Sequence, residues 1–219
     1  MLMQIRECEN ENCLFRYPVL AREMPADVCP RCGGGTRLAH ERWLHQEAEG
    51  APVKLPGPTV LALLDNVRSV FNVGSVFRIA DGAGVSHVHL AGITPTPDHP
   101  KMRKTALGAE NVIPWTYHAN SLRAARALRE AGCRLWALEG DHPHAVSLFL
   151  PAVTDSRPIV LIAGSELTGV DLELLALCER ILTIPMQGQK RSLNVAVAFG
   201  IAAYELRRGP APPIAANQV

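Results

Sequence analysis

Four groups of residues have types and spacings that could do chemistry. Lys190, Ser192 and Asn194 sit in the run KRSLNVAVAFGIAAYELRR at 190–208, where a polar step opens a small, apolar helix. Backbone N–H groups are unsatisfied at a helix start and the dipole is positive there, so polar residues at this place can hold a ligand. Ser and Asn are equally ordinary helix caps, and that reading stays open. Asn72 and Arg78 bracket the first turns of a second helix, whose Val73, Val76, Phe77 and Ala80 recur at helical spacing. Arg78 offers a permanent cation. Gly164, Glu166 and Gly169 follow the strand-like run PIVLIA, and small residues in such a turn let the backbone approach a ligand closely. Glu166 could instead simply favour the following helix N-terminus. Finally, Cys8-x4-Cys13 and Cys29-x2-Cys32 have the spacing of two turns whose thiolates converge on one tetrahedral ion. Disulfides would suit a secreted chain, and His40 could replace a ligand.

The elements that must position these residues alternate in type. Strand-like runs at 59–65, 86–91, 134–139, 158–163 and 180–185 interleave with helical patterns near 73–83, 120–131, 171–178 and 194–208. Such alternation implies an α/β domain with a parallel sheet covered on both faces. Ahead of it, residues 1–37 read as a zinc-ribbon-like module and 38–57 as a short helix (LAHERWLHQEAEG) and a proline-rich linker. Some 35 residues bury too little to fold unaided, so zinc would provide most of the module's stability. The segment 209–219 reads as a disordered tail, and Cys133 and Cys178 as core residues.

With 219 residues and 47% hydrophobic content, the chain can form one full core plus a small appendage. A net charge of +1 is too small to announce a nucleic-acid binder, so any RNA contact must come from local patches. Candidates are Lys101, Arg103 and Lys104, then Lys190 and Arg191 beside the turns above. Arg123, Arg126 and Arg129 are a further candidate patch, though their spacing also fits a solvated helix face. No window reaches the length of a membrane span and no secretory signal opens the chain, so a cytoplasmic protein is expected.

In this order, the motifs resemble those of the SpoU or TrmH branch of the SPOUT methyltransferases over residues 58–208. Asn72 with Arg78 matches the first motif, and Gly164, Glu166 and Gly169 the second. Pro185, Met186, Gly188, Ser192, Leu193, Asn194 and Val195 match the third. KTALGAENVIPW at 104–115 is a softer match. The resemblance implies a SPOUT fold with a C-terminal deep trefoil knot, and methyl transfer from S-adenosylmethionine to a ribose 2′-hydroxyl of tRNA or rRNA. It also implies a homodimer, for which one flank of the last helix (Val195, Ala198, Ala202, Leu206) would suit a close contact, although the same flank would equally suit intramolecular core.

On that basis Gly164, Ile184, Met186, Gly188 and Leu193 would hold the cofactor. Arg78, Asn72, Glu166, Ser192 and Asn194 would form the catalytic group, with Asn72 orienting Arg78. A guanidinium is almost never a free base at neutral pH, so Arg78 would bind the neighbouring phosphate and favour loss of the hydroxyl proton electrostatically. Arg191 is a departure from the pattern, able either to favour phosphate or to repel a sulfonium. Two alternatives stand: an RNA-binding zinc-ribbon protein with an inactive SPOUT domain, and a SPOUT base-nitrogen methyltransferase. No Gly-x-Gly-x-x-Gly follows a strand, which disfavours a dinucleotide enzyme.

Overall fold

The short runs of the first fifty residues and the long apolar runs beyond them build two separate units, Met1–Val53 and Lys54–Val219. The computed structural model describes residues 2–20, 27–43, 55–149 and 155–209.

In the first unit, strands β1 (Leu2–Cys8), β2 (Arg16–Leu20) and β3 (Thr36–Trp43) form an antiparallel sheet in the order β2-β1-β3. Little is buried there. Among the described residues of this unit, Cys8, Val19 and Cys29 are its buried apolar side chains. A buried arginine, Arg6, ties the base of the sheet together by donating to Thr36 Oγ1 at 3.3 Å, Thr36 O at 3.0 Å and Asp27 Oδ1 at 3.3 Å. The helix expected from residue 38 onward is not found over 38–43. Pairing with β1 satisfies those backbone groups as strand, overriding a helix-like pattern of charges, and the sheet runs past residue 37. The remainder of that expected helix, 44–50, lies outside the described residues.

The second unit contains β4 (Val60–Asp65), α1 (Val70–Ala83), β5 (Val88–Ala91), α2 (Arg103–Ala106) and a 3-10 turn (Ala109–Asn111). Then come β6 (Trp115–His118), α3 (Ser121–Glu130), β7 (Arg134–Leu138) and β8 (Val146–Ser147). The chain continues through β9 (Ile159–Gly164), α4 (Leu172–Leu177), β10 (Arg180–Thr183) and α5 (Val195–Arg208). All seven strands are parallel, in the order β6-β5-β4-β9-β7-β10-β8. Each of the five expected strands and four expected helices is present. Two short edge strands, β6 and β8, carry no buried run and were not foreseen.

Alternation along the central strands sorts their side chains to two cores. Val60, Ala62 and Leu64 of β4 and Ile159, Leu161 and Ala163 of β9 pack with Phe77 of α1 and Phe199 of α5. Leu63, Val160 and Ile162 point the other way, onto Ala125 of α3 and Leu174 of α4. Fully buried leucine, isoleucine and phenylalanine side chains each contribute roughly 1.5–3 kcal/mol. Caps mark where the helices begin: Ser69 Oγ accepts from Asn72 N, Asn120 from Arg123 N, and Asp171 from Glu173 N.

For helix α5 the structure selects the intramolecular of the two readings. Ala202 and Leu206 are buried and Val195 packs on the same core, so the flank assigned to a partner contact faces inward, against α1 and the sheet. The exposed flank instead carries Val197 and Tyr204. Arg207 near its end donates to Gly57 O at 2.9 Å and Pro58 O at 2.7 Å, anchoring the start of the domain. Of the expected tail, 210–219 lies outside the described residues.

Candidate functional site

Strands β7 and β9 end side by side, and the chain segment entering α5 runs past the same carboxyl ends. Between them lies a cavity of about 340 Å³. In parallel α/β sheets the carboxyl ends of the strands, where connections diverge, are the usual ligand crevice. Its wall combines Leu138, Leu182, Ile184, Met186 and Leu193 with polar Ser165, Glu166, Ser192 and Asn194. Gly164, Ile184, Met186 and Leu193, expected at a cofactor, therefore meet in one cavity, and so do Glu166, Ser192 and Asn194. Gly188 does not. It is exposed and outside the lining, and a Cβ there would meet nothing within 4 Å.

The turn after β9 explains its glycines. A Cβ on Gly164 would strike the backbone of Gly169 and Val170, and Gly169 has φ +70, a conformation that disfavours side chains. The turn closes on itself through Ser165 N donating to Gly169 O at 3.0 Å and Gly169 N donating to Ser165 O at 2.9 Å. Its flanks are pinned by carboxylates from neighbouring strands. Asp65, 1% exposed at the end of β4, accepts from Asp171 N at 3.0 Å, and Glu139, just past β7, accepts from Val170 N at 3.1 Å.

Glu166 reaches out of this turn to the start of α1. Its Oε2 accepts from Arg68 N at 2.9 Å, and its Oε1 accepts from Ser69 N at 3.1 Å and Asn72 Nδ2 at 2.7 Å. Burial works against its charge, but these N–H donors outweigh it and hold the carboxyl below its usual range. A carboxylate so occupied positions α1 and has little capacity left to take a proton. Asn72 Oδ1 in turn accepts from Asn194 Nδ2 at 3.0 Å, while Asn194 Oδ1 caps α5 by accepting from Ala196 N at 3.0 Å. The three motifs are thus one hydrogen-bonded chain, Glu166 to Asn72 to Asn194. Ser192 is not the helix cap but lies exposed in the segment before it.

Arg78 is absent from the cavity wall. It lies exposed on α1 beside a separate depression of about 420 Å³ shared with Ser75, Ile79, Lys104, Thr105 and Tyr204. Asn72 therefore does not orient Arg78, since its side-chain groups are taken by Glu166 and Asn194. Lys101, Arg103, Lys104 and Lys190 are all exposed, as are Arg123, Arg126 and Arg129 on α3. Arg191 lines the cavity and its guanidinium lies 3.6 Å from Asp141, with both side chains largely exposed. An exposed pair of this kind contributes only about 0–1 kcal/mol, but it sets an acid beside the arginine's charge. Leu138, Glu139, Gly140 and Ala198 also line the wall, and no local sequence pattern marked them as site residues.

In the first unit, the Sγ atoms of Cys8, Cys13, Cys29 and Cys32 all lie within 4.8 Å of one another. Cys8 and Cys32 are 3.5 Å apart and Cys13 and Cys29 3.9 Å apart, with no disulfide among them. Zn–S bonds of about 2.3 Å in a tetrahedron require S···S edges of about 3.8 Å, so the donor set fits that ion. Gly34 N donates to Cys32 Sγ at 3.4 Å. Burial opposes ionisation of Cys29, yet the N–H groups of Cys32 and Arg31 and the neighbouring thiols lower it to about 7. For Cys8, the favourable Asn10 N–H is overcome by burial and the other three thiols, which push it up to about 12. A divalent cation would remove that conflict by ligating all four as thiolates. His40 lies on β3, paired with Ile5, and does not belong to the cluster.

Known proteins give this geometry a family. The model of the SpoU rRNA Methylase family matches residues 59–204. A 23S rRNA (guanosine-2′-O-)-methyltransferase, RlmB, of Nitrosomonas europaea is 32% identical over 178 residues, covering 79% of this chain and 64% of that protein. RlmB of Xanthomonas axonopodis pv. citri is 31% identical over 177 residues, covering 80% of this chain and 70% of the relative. The crystal structure of an AdoMet-bound rRNA methyltransferase from Sinorhizobium meliloti matches with a TM-score of 0.64 at 31% identity, over 71% of this chain and 58% of that one. The chain thus spans less than two thirds of the Nitrosomonas relative and of the Sinorhizobium structure. With its three motifs joined at the ends of a seven-stranded parallel sheet, and a family match over most of its larger unit, this chain belongs to the SpoU rRNA methylase family.

Proposed function

We propose that the chain transfers a methyl group from S-adenosylmethionine to a ribose 2′-hydroxyl of ribosomal RNA. The observation that carries this reading is the cavity itself, which gathers Gly164, Ile184, Met186, Leu193, Ser192 and Asn194 at the carboxyl ends of β7 and β9. An apolar wall with small residues suits an adenine, and the polar segment Ser192–Asn194 suits the amino-acid end of the cofactor. The cofactor supplies an electrophilic methyl carbon. Transfer to the ribose oxygen would make a C–O bond at the expense of the C–S bond, release S-adenosylhomocysteine, and pass the proton to phosphate or water. Both relatives described above are named for 2′-O-methylation of guanosine in 23S rRNA, which favours rRNA over tRNA.

The cations divide the labour. Arg78 with Lys104, flanked by the hydroxyls of Ser75, Thr105 and Tyr204, makes a basic depression suited to a phosphate of the RNA backbone. Because that depression is not part of the cofactor cavity's wall, a second copy of the chain would complete the site. The exposed apolar side chains of Phe71 on α1 and of Val197 and Tyr204 on α5 support such a homodimer. The C-terminal trefoil knot and a cytoplasmic location belong to the same reading, and zinc in the Cys8, Cys13, Cys29, Cys32 cluster would be structural. Among the described residues no helix is long and apolar enough to cross a membrane.

Transfer of radioactive methyl groups to rRNA from a strain lacking the chain, followed by hydrolysis to alkali-resistant dinucleotides, tests the reaction. Arg78→Lys should keep cofactor affinity and lose about a hundredfold or more in turnover, because a point charge cannot reproduce a planar fork. Unchanged turnover in that variant would refute the phosphate role, and methyl groups found on bases would refute the ribose assignment.

A further inference from the structure

The cavity wall contains two carboxylates, and they are not equivalent. Glu166 has both oxygens engaged by the three N–H donors at the start of α1. Glu139 spends only Oε2, on Val170 N at 3.1 Å, and its Oε1 has no hydrogen-bond partner among the described residues. The other charged and amide groups of the wall are committed as well. Arg191 lies beside Asp141, while Asn194 donates to Asn72 and caps α5.

Glu139 is also held in place. Its N–H donates to Leu182 O at 3.0 Å, locking the residue between the ends of β7 and β10. The carboxylate fills the space over Gly169, where a Cβ would collide with it. One oxygen tethered to a backbone N–H restrains the group and leaves the second oxygen as an unspent acceptor on a residue of the cavity wall.

From this geometry we infer that Glu139 is a cofactor-binding residue, whose free oxygen accepts hydrogen bonds from the ribose hydroxyls of an adenosyl ligand. The inference rests on the cofactor reading above and adds to it a specificity determinant outside the three motifs. A vicinal diol presents two adjacent O–H donors, and an ionised acceptor makes the stronger kind of hydrogen bond to them. Because Glu139 follows Leu138 directly, the acceptor stands beside the apolar wall, where the adenosine half of the ligand would lie.

The test is calorimetric titration of the full-length protein with S-adenosylmethionine and with 5′-methylthioadenosine, which keeps the ribose but lacks the amino-acid group. Glu139→Gln, whose amide oxygen can still accept from Val170 N, should weaken both ligands by a similar factor of about ten. In the unsubstituted protein, 2′,3′-dideoxy-5′-methylthioadenosine should bind about tenfold more weakly than 5′-methylthioadenosine. Glu139→Gln should show little of that difference. A loss confined to S-adenosylmethionine would assign Glu139 to the ammonium or sulfonium and overturn the proposal. So would equal binding of the diol and dideoxy ligands by the unsubstituted protein, a result that does not depend on how the variant folds. If the unsubstituted protein bound no S-adenosylmethionine at all, the cofactor reading itself would fall, an outcome distinct from a variant that merely binds unchanged.

Discussion

The proposed ribbon and the SpoU-family domain are both built on sheets, yet their interiors differ sharply. In the domain, two layers of apolar side chains enclose a seven-stranded sheet, with Phe77, Phe199, Leu63 and Leu161 fully buried. In the described part of the ribbon only three apolar side chains are buried, and two of them, Cys8 and Cys29, belong to the thiol cluster. A sheet with so small an apolar interior would draw most of its stability from a cross-link, which four sulfurs within 4.8 Å of one another could supply. A fold can therefore be secured by many weak contacts or by one strong centre. The two units should respond to different insults.

Removing the metal is the most severe. Chelation of the zinc-loaded chain should unfold the ribbon, since structural zinc in small modules is worth on the order of 10–16 kcal/mol. Amide NMR signals from β1 to β3 should collapse while those of β4 to α5 persist; joint loss of both sets would show that the units are not independent. The reciprocal change is Phe77→Ala, which opens a cavity in the domain core and should cost about 3–5 kcal/mol. Its thermal midpoint should fall, while the cobalt–thiolate absorption of the ribbon in a cobalt-substituted sample stays unchanged.

A smaller effect should follow from Glu166→Gln. The amide NH₂ would face a backbone N–H where a carboxylate oxygen now accepts, so the link from the β9 turn to α1 loses about 1 kcal/mol or more. Cofactor affinity and turnover should fall together as Asn72 and Asn194 lose their anchor, with ribbon signals unaffected.

The mildest test is acid. His87, His89 and His118 cluster at the β5–β6 edge, with His89 Nδ1 2.9 Å from His118 Nε2. Burial first, then the neighbouring rings, lower His89 to about 4 from its ordinary 6.5. The unfolded chain binds this proton more readily than the folded one, so stability present above pH 6.5 should decline as pH falls toward 4 and flatten below. His89→Gln should blunt that decline in the domain without altering metal release from the ribbon.

Much of the domain was legible because buried parallel strands are runs of apolar residues with one reading. Val60–Asp65 and Ile159–Gly164 carry branched side chains on both faces, and the helices between them keep a 3.6-residue period. Gly164 and Asn194 could be found for a related reason, since close backbone approach and helix caps restrict residue type, whereas Glu166 and Ser192 were marked by motif order alone. Edge strands were not legible. Trp115–His118 is half exposed and Val146–Ser147 is two residues long, so neither has a burial pattern to detect. Thr36–Trp43 was misread because an exposed strand beside β1 accepts charges at any spacing.

The amino-acid order by itself determined where apolar runs, helix starts, glycine turns and thiol pairs lie, since each follows from interactions within a few residues. Tertiary structure decided which of them meet. Strand β9 lies between β4 and β7, and only that order brings Glu139 against Gly169 and Glu166 against Asn72. It also turned one flank of α5 into the core and left Arg78 on another surface. Contacts across a hundred residues depend on sheet order and helix packing, and no local window contains them.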